Sequence, residues 1–277
     1  MLKIFRFRGV LSKCQPVRFY GVQINQNIDL KKAIESMACV KQPGQPPKVW
    51  QLLEKVGKDG KPLKFTIQEI PEDRYEEAIQ HMCKNFVADE PTCECWNSKN
   101  DPLFLKDIST LWTILFTQNI SIAAFIDNPD GGKPIIAGMN ALGVSIKDHK
   151  DGIAEYKFTS PICKNTFELI GDATKIAYER YGVNKYLNAI GLSVEPSYRG
   201  YGLGTDLLKT RDQIAREYDI PATCTVFTSL FSQKSAANAG FEPLVERKFA
   251  DIVDKNGKEH FPGIKSESYI VMGKKFS

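Results

Sequence analysis

Three glycines alternate in the run Leu192-Ser193-Val194-Glu195-Pro196-Ser197-Tyr198-Arg199-Gly200-Tyr201-Gly202-Leu203-Gly204-Thr205. The apolar stretch from Tyr186 to Val194 reads as a buried strand ahead of them, and Gly204 to Tyr218 reads as a helix behind them. Pro196 lacks a backbone donor and ends the strand's ladder. Glycine lets a backbone approach a ligand closely and adopt positive φ. The start of a helix offers free N–H groups and the positive end of a dipole. With the charge of Arg199, these types and spacings predict a cradle for a pyrophosphate. A P-loop would need a lysine before Thr205 and has none. A Rossmann fingerprint would need G-x-G-x-x-G early in a βαβ unit, whereas G-x-G-x-G stands here late in the chain. The remaining pattern is Arg199-x-x-Gly202-x-Gly204 with Val194-x-Pro196 in front.

Two further segments carry polar side chains beside helix boundaries. Glu90 lies in Phe86-Val-Ala-Asp-Glu-Pro91, with Asp89 beside it as the more solvated carboxylate. Ser229 and Ser232 precede the pair Gly240-Phe241. The seven cysteines are odd in number and scattered, which reads as reduced thiols inside a cell. His81, Cys83, Cys93 and Cys95 lack the two-residue gaps of a zinc knuckle, so no metal is expected.

The elements that must position these residues follow from periodicity. Phe65 to Ile70 alternates as a half-buried strand, and Glu72 to about Asn85 is a helix. A helix covers Lys106 to Phe116, and Ile120–Ile126 with Lys133–Val144 forms a hairpin. Asn165 to Tyr181 reads as one helix, Ala222 to Thr228 as a buried strand and Ser232 to Ala239 as a short helix capped by Gly240. Val245–Ile252 and Glu267–Met272 are the final strands. This order predicts one mixed α/β domain around a central sheet. Hydrophobic residues are 42% and charged residues 25%, which excludes a disordered chain or a coiled coil. No apolar run is long enough to span a membrane as a helix.

Charge divides the chain. Residues 1–62 carry 12 Lys and Arg against 4 Asp and Glu, and residues 63–277 carry 25 against 29. A nucleic-acid reader needs a basic folded face, and this body is mildly acidic, so no nucleic acid is expected as a partner. Residues 1–62 therefore read as a basic extension and 63–277 as the folded domain. Lys3, Arg6, Arg8, Lys13 and Arg18 come before any acid, and Ile4, Phe7 and Leu11 would share a helical face. That pattern suits a mitochondrial transit peptide in residues 1–20, with a cytoplasmic protein bearing a basic tail as the other reading. The run Gln42-Pro-Gly-Gln-Pro-Pro-Lys48 breaks regular structure, Val49–Val56 reads as a short helix, and a turn follows at Lys58-Asp59-Gly60. On this reading, removing residues 1–62 leaves activity intact.

The loop Arg199-x-x-Gly202-x-Gly204, its Val194-x-Pro196 lead-in and the downstream Ala239-Gly240-Phe241 resemble the GNAT superfamily of N-acetyltransferases. With Phe86–Pro91 and the serine-rich stretch before Gly240, the body from about Phe65 to Met272 is similar to the insect-type arylalkylamine (dopamine-like) N-acetyltransferases. The resemblance implies a GNAT-type mixed central β-sheet flanked by helices, with acetyl-CoA as co-substrate. It implies that Leu192, Ser193, Val194, Arg199, Gly200, Tyr201, Gly202, Leu203, Gly204 and Thr205 hold that co-substrate. It implies that Glu90 is the general base and that Thr228 or Ser229, and Ser232, line the transfer site. Dopamine, serotonin or tryptamine would be typical acceptors; longer acyl-CoAs, polyamine or amino-acid acceptors, or coenzyme-A binding without turnover are the alternatives. One position departs: many of these enzymes carry a tyrosine acid where this chain has Ala236. Only His81, His149 and His260 are present, too scattered for the paired histidines of the vertebrate type.

The chemistry sets the remaining requirements. An alkylammonium titrates near ~10.4, so about one molecule in a thousand is neutral at pH 7.4 and a base is needed. Burial raises a carboxylate's pKa, so such a base needs shelter from water. The oxyanion needs a backbone N–H, for which Leu192 and Val194 are placed, and the same strand edge would pair with pantetheine amides. Ser232 would donate to the departing thiolate. An acidic body steers cationic amines, and Phe86, Trp112, Phe116 and Phe227 could wall an aromatic pocket.

Overall fold

The computed structural model describes residues 28–57 and 60–276. The amphipathic start, and with it the targeting expectation for residues 1–20, lies outside the described residues. The chain runs α1 (Ile28–Ser36), β1 (Val49–Val56), β2 (Pro62–Glu69), α2 (Tyr75–His81), a π-turn (Met82–Phe86), α3 (Val87–Asp89), α4 (Pro91–Cys95) and α5 (Pro102–Phe116). There follow β3 (Ile122–Ile126), β4 (Ile135–Ile146), α6 (Pro161–Gly171), α7 (Ile176–Tyr181), β5 (Lys185–Val194) and α8 (Leu203–Glu217). The chain closes with β6 (Ala222–Phe227), α9 (Leu230–Asn238), β7 (Glu242–Lys248) and β8 (Ser268–Lys275).

Eight strands form one sheet in the order β1-β2-β3-β4-β5-β6-β8-β7. All neighbours are antiparallel except β5 and β6, which are joined by the α8 crossover. A sheet with helices on both faces must bury apolar side chains on both. Leu203, Leu207 and Ile214 of α8 pack with Phe65, Ile67, Leu142 and Leu187 on one face. Ala78, Met82, Leu111, Trp112 and Phe116 pack with Phe125, Met139 and Ala141 on the other. The register shift where Ala124 meets Gly138 re-phases β4 and puts Asn140 on the α8 face. Among the described residues no helix is long and apolar enough to cross a membrane.

Two local expectations are corrected. Val49–Val56 is a strand, not a helix: Val49 to Val56 pair with Gln68 to Pro62, and the Gly57 N–H donates to the Lys61 carbonyl at 2.9 Å to close the hairpin. The helix formers Gln51-Leu-Leu-Glu-Lys55 yield to a partner strand across a short turn. The helix expected from Asn165 to Tyr181 is interrupted by a 3-10 turn at Asp172–Lys175, which separates α6 from α7.

The compositional break near residue 62 falls inside that hairpin. Residues 28–56 pack on the sheet through Ala33 and Met37 against Ile114 and through a buried ion pair. Lys41, 7% exposed, meets Glu69, 1% exposed. Lys41 also donates to the Pro46 carbonyl at 2.8 Å, and Glu69 accepts from the Lys48 N–H at 2.8 Å and the Tyr218 hydroxyl at 2.7 Å. Removing one partner strands a buried charge, so Lys41→Met should lower unfolding free energy by about 3–5 kcal/mol. Urea unfolding of the full chain measures this; a change below about 1 kcal/mol would show that water already reaches Glu69. A truncation to residue 27 leaves these contacts in place, whereas one to residue 62 deletes α1, β1 and Lys41.

Candidate active site

The site begins where the parallel pair comes apart. β5 and β6 are in register at Leu187 and Thr223, and beyond that point the two strands diverge. The Glu195 N–H donates to the Ala137 carbonyl of β4 at 2.9 Å. Backbone direction alternates along a strand, so Ser193 also faces β4 while Leu192 and Val194 turn their N–H groups into the open side. Ser193 is 6% exposed and sits in the sheet rather than in the cleft.

A β-bulge lies at the base of this opening, where Asn140 opposes Leu192 but Leu142 opposes Ala189. Gly191 takes a φ of 104°, and a Cβ there would come within 2.4 Å of Met82 Cε. Side chains hold both bulge carbonyls: Trp112 Nε1 donates to Ile190 at 2.8 Å and Asn140 Nδ2 donates to Gly191 at 2.8 Å. The segment Met82–Glu90 roofs the bulge, with Met82 and Phe86 above Gly191 and Phe86 edge-on to Trp112 at 6.1 Å.

At the mouth stands the glycine loop. Gly200 and Gly202 have φ of 89° and 78°, and no atom lies within 4 Å of a Cβ built on either. Leu203 is buried in the core and starts α8, so the N–H groups of Leu203, Gly204 and Thr205 are the unpaired donors of its first turn. Tyr198 and Tyr201 pack on Phe65 at 6.0 and 6.1 Å and hold the loop to the sheet. Arg199 donates from Nε to the Val194 carbonyl at 3.0 Å and forms an ion pair with Asp89, each about half exposed. Asp89 is thus a tether between α3 and the loop rather than a free carboxylate. A cradle that is open, rich in N–H donors and backed by a helix start fits a pyrophosphate.

Glu90 closes α3, caps α4 and is half-buried. Its carboxylate accepts from the Cys93 N–H at 2.8 Å, from the Thr92 hydroxyl, and from the Thr228 hydroxyl at 2.7 Å. Thr228 directly follows β6, so this bond places Glu90 on the β6 lip of the cleft. Of the alternatives Thr228 and Ser229, the structure thus brings Thr228 to Glu90. Ser229 and Ser232 form a reciprocal capping box at the start of α9. The Ser232 hydroxyl donates to the Ser229 carbonyl at 2.9 Å and is already committed as a donor.

Trp112, Phe116 and Phe227 are 0%, 0% and 3% exposed, so of the four expected pocket aromatics only Phe86 is partly open. His81 is buried, and desolvation pulls its pKa down to about 4, so it is neutral at pH 7. Among the described residues no cluster of three or more His, Cys, Asp or Glu is placed to hold a metal.

Sequence reasoning missed Asn140 and Arg211, and read Trp112 as a pocket wall rather than as a donor to β5. The signals were present for the first two. Asn140 is the lone polar amide in the apolar strand Ile135–Ile146, and Arg211 occupies the buried stripe shared by Leu203, Leu207 and Ile214. Trp112 looks like any core aromatic until its ring nitrogen is seen to bond β5.

No protein-family model matches the chain, and no curated protein sequence matches it either. Solved structures do. A yellow fever mosquito (Aedes aegypti) protein named arylalkylamine N-acetyltransferase 7 superimposes with a TM-score of 0.75 at 29% identity, over 85% of this chain and 98% of its own. Arylalkylamine N-acetyltransferase 2 of Aedes aegypti follows at TM-score 0.65 and 23% identity, over 77% and 99%. The Drosophila melanogaster polyamine N-acetyltransferase that forms N-acetylagmatine shares the fold at TM-score 0.62 and 15% identity, over 76% and 100%. This chain has the GNAT fold, and its structural neighbours include insect arylalkylamine N-acetyltransferases.

Proposed function

We propose that this protein is an acetyl-CoA-dependent N-acetyltransferase for small primary amines, with arylalkylamines as the favoured acceptors. The observation that carries the reading is the splay of β5 from β6, with the N–H groups of Leu192 and Val194 facing into it. The glycine loop stands at one end of that cleft and Glu90 on its lip. Acetyl-CoA supplies a thioester, and the rest is work for the chain. Gly200 to Thr205 hold the pyrophosphate by backbone N–H groups. The strand edge at Leu192 and Val194 pairs with pantetheine amides and gives an N–H to the carbonyl oxygen as negative charge develops there.

Glu90 takes the proton of the incoming ammonium, directly or through one water. Thr92, Cys93 and Thr228 fix its carboxylate by hydrogen bonds, so it is oriented before the amine arrives. The amine enters from the side of the Met82–Glu90 roof, where half-buried Phe86 offers a ring face. Ser229 and Ser232 shape this lip through their capping box. The resemblance to the mosquito protein at 29% identity favours an aromatic amine over a polyamine.

Titration calorimetry with acetyl-CoA tests the loop assignment. Gly202→Glu sets a carboxylate in the open space of the cradle, and affinity should fall at least tenfold, about 1.4 kcal/mol. Gly202→Ala separates backbone strain at φ 78° from charge, and should lose less. Equal affinity in wild type and Gly202→Glu would remove the pyrophosphate site from this loop.

A further inference from the structure

The Arg211 side chain is fully buried, yet it is an arginine on the apolar stripe of α8. Among the described residues no carboxylate pairs with it. Its Nε donates to Asn140 Oδ1 at 3.0 Å, and its Nη1 donates to the hydroxyls of Thr223 and Thr225 at 3.0 and 2.8 Å. Its Nη2 is buried with no partner at all. The titratable neighbour is Cys224, whose thiol burial pushes up to about 12, so it brings no negative charge. A buried charge without a counter-charge is destabilising, and replacing such groups by apolar ones tends to stabilise a fold. Arg211 therefore calls for a reason other than stability.

Its position supplies one. Asn140, which accepts from Nε, also holds the Gly191 carbonyl of the bulge. Thr223 stands at the point where β5 and β6 part, and its hydroxyl donates to the Leu187 carbonyl at 2.8 Å. The guanidinium thus spans from the bulge to β6 across the α8 side of the splay, with the Phe241 ring 5.5 Å from its Cζ. On the acetyl-CoA reading, a pantetheine chain laid in the splay would pass between the bulge and Thr223, the two points that the guanidinium bridges. The other candidate donors to the sulfur are committed or missing: the Ser232 hydroxyl bonds the Ser229 carbonyl, and residue 236 is an alanine in the same core cluster as Phe241.

We infer that Arg211 is the cation that receives the leaving thiolate, its unpartnered Nη2 donating to the coenzyme-A sulfur as the carbon–sulfur bond breaks. The inference rests on the acetyl-CoA reading and names a residue for the step that reading left without one. The bookkeeping of the step is complete. The amine nitrogen bonds the acetyl carbon, and both protons that an ammonium sheds in becoming an amide leave by way of Glu90: the first before attack and on to bulk water, the second from the tetrahedral adduct. The carbon–sulfur electron pair goes to sulfur, which departs as an anion beside a guanidinium rather than taking a proton from an acid. Burial lowers the Arg211 pKa to about 9, which leaves the group charged at neutral pH.

The test reads the thiol and not turnover. Coenzyme A bound to the protein is titrated by thiolate absorbance, with desulfo-coenzyme A affinity and Tm measured alongside. In the wild type the bound thiol should titrate at least about one pH unit below the free coenzyme, a tenfold preference for thiolate. In Arg211→Met that shift should vanish, with desulfo-coenzyme A bound as before and Tm equal or higher. Arg211→Lys keeps the charge, should keep part of the shift, and stands in if the methionine variant does not fold. A wild-type thiol that titrates where the free coenzyme does overturns the inference, and so does a shift that survives in Arg211→Met. A wild-type protein that binds neither coenzyme A nor its desulfo form overturns the acetyl-CoA reading itself, and the inference with it.

Discussion

Replacing Glu90 by glutamine is expected to lower kcat/KM for the amine by about 10²–10⁴, the range seen when a general base is removed. Glutamine keeps the length of the side chain and can still accept from the Cys93 N–H, so the cap of α4 survives. The hydroxyls of Thr92 and Thr228 can each turn to suit an amide, so the lip of the cleft keeps its shape. The one capacity lost is taking a proton. Acetyl-CoA affinity should therefore hold, because the pyrophosphate cradle at Gly200–Thr205 is a separate structure. Asp89→Asn is the informative neighbour. It breaks an exposed ion pair with Arg199, worth under about 1 kcal/mol, and should disturb coenzyme binding slightly while sparing the amine step. Steady-state kinetics on an arylalkylamine panel decides it. Near-normal kcat/KM in Glu90→Gln would move the base elsewhere.

The second large effect is expected at Gly191, a residue that touches no proposed ligand with a side chain. Gly191→Ala must place a Cβ 2.4 Å from Met82 Cε and close to Phe86, on a backbone at φ 104°. Either the roof lifts or the bulge flattens. Both move the Leu192 N–H relative to the carbonyl it serves, and a misplacement of about 1 Å can lower rate about 10²-fold. The loss should fall on kcat more than on acetyl-CoA affinity, since the cradle lies beyond Val194. Met82→Ala in the same chain should restore part of kcat by making room for the new methyl group. An unaltered kcat in Gly191→Ala would show that the bulge geometry is not what sets the donor.

The shape of the loop around Gly202 was legible because it is set by backbone freedom. Positive φ favours glycine, so Gly200 and Gly202, at 89° and 78°, state the turn of the loop in residue types. Glu90 was singled out by the resemblance; what the residues themselves state is a carboxylate ahead of Pro91 at a helix boundary, and the structure finds it capping α4. Other features were hidden because they depend on residues far apart in the chain. Val49–Val56 carries helix-forming residues and became a strand only because β2 lies across a turn. The charge boundary at residue 62 looked like a domain edge until Lys41 was seen buried against Glu69.

The sequence by itself determined the strand–loop–helix around Gly202, the order of elements from β2 onward apart from the break between α6 and α7, and a carboxylate at the helix boundary before Pro91. These are set by period, by glycine and proline, and by neighbours within a few residues. Tertiary structure alone decided the cleft. The parting of β5 from β6, the bulge held by Trp112 and Asn140, the Thr228–Glu90 bond and the uncompensated charge of Arg211 join residues up to 138 positions apart. No local pattern encodes such a pairing, because a hydrogen bond or a desolvated charge belongs to the surroundings that packing creates and not to the residue that bears it.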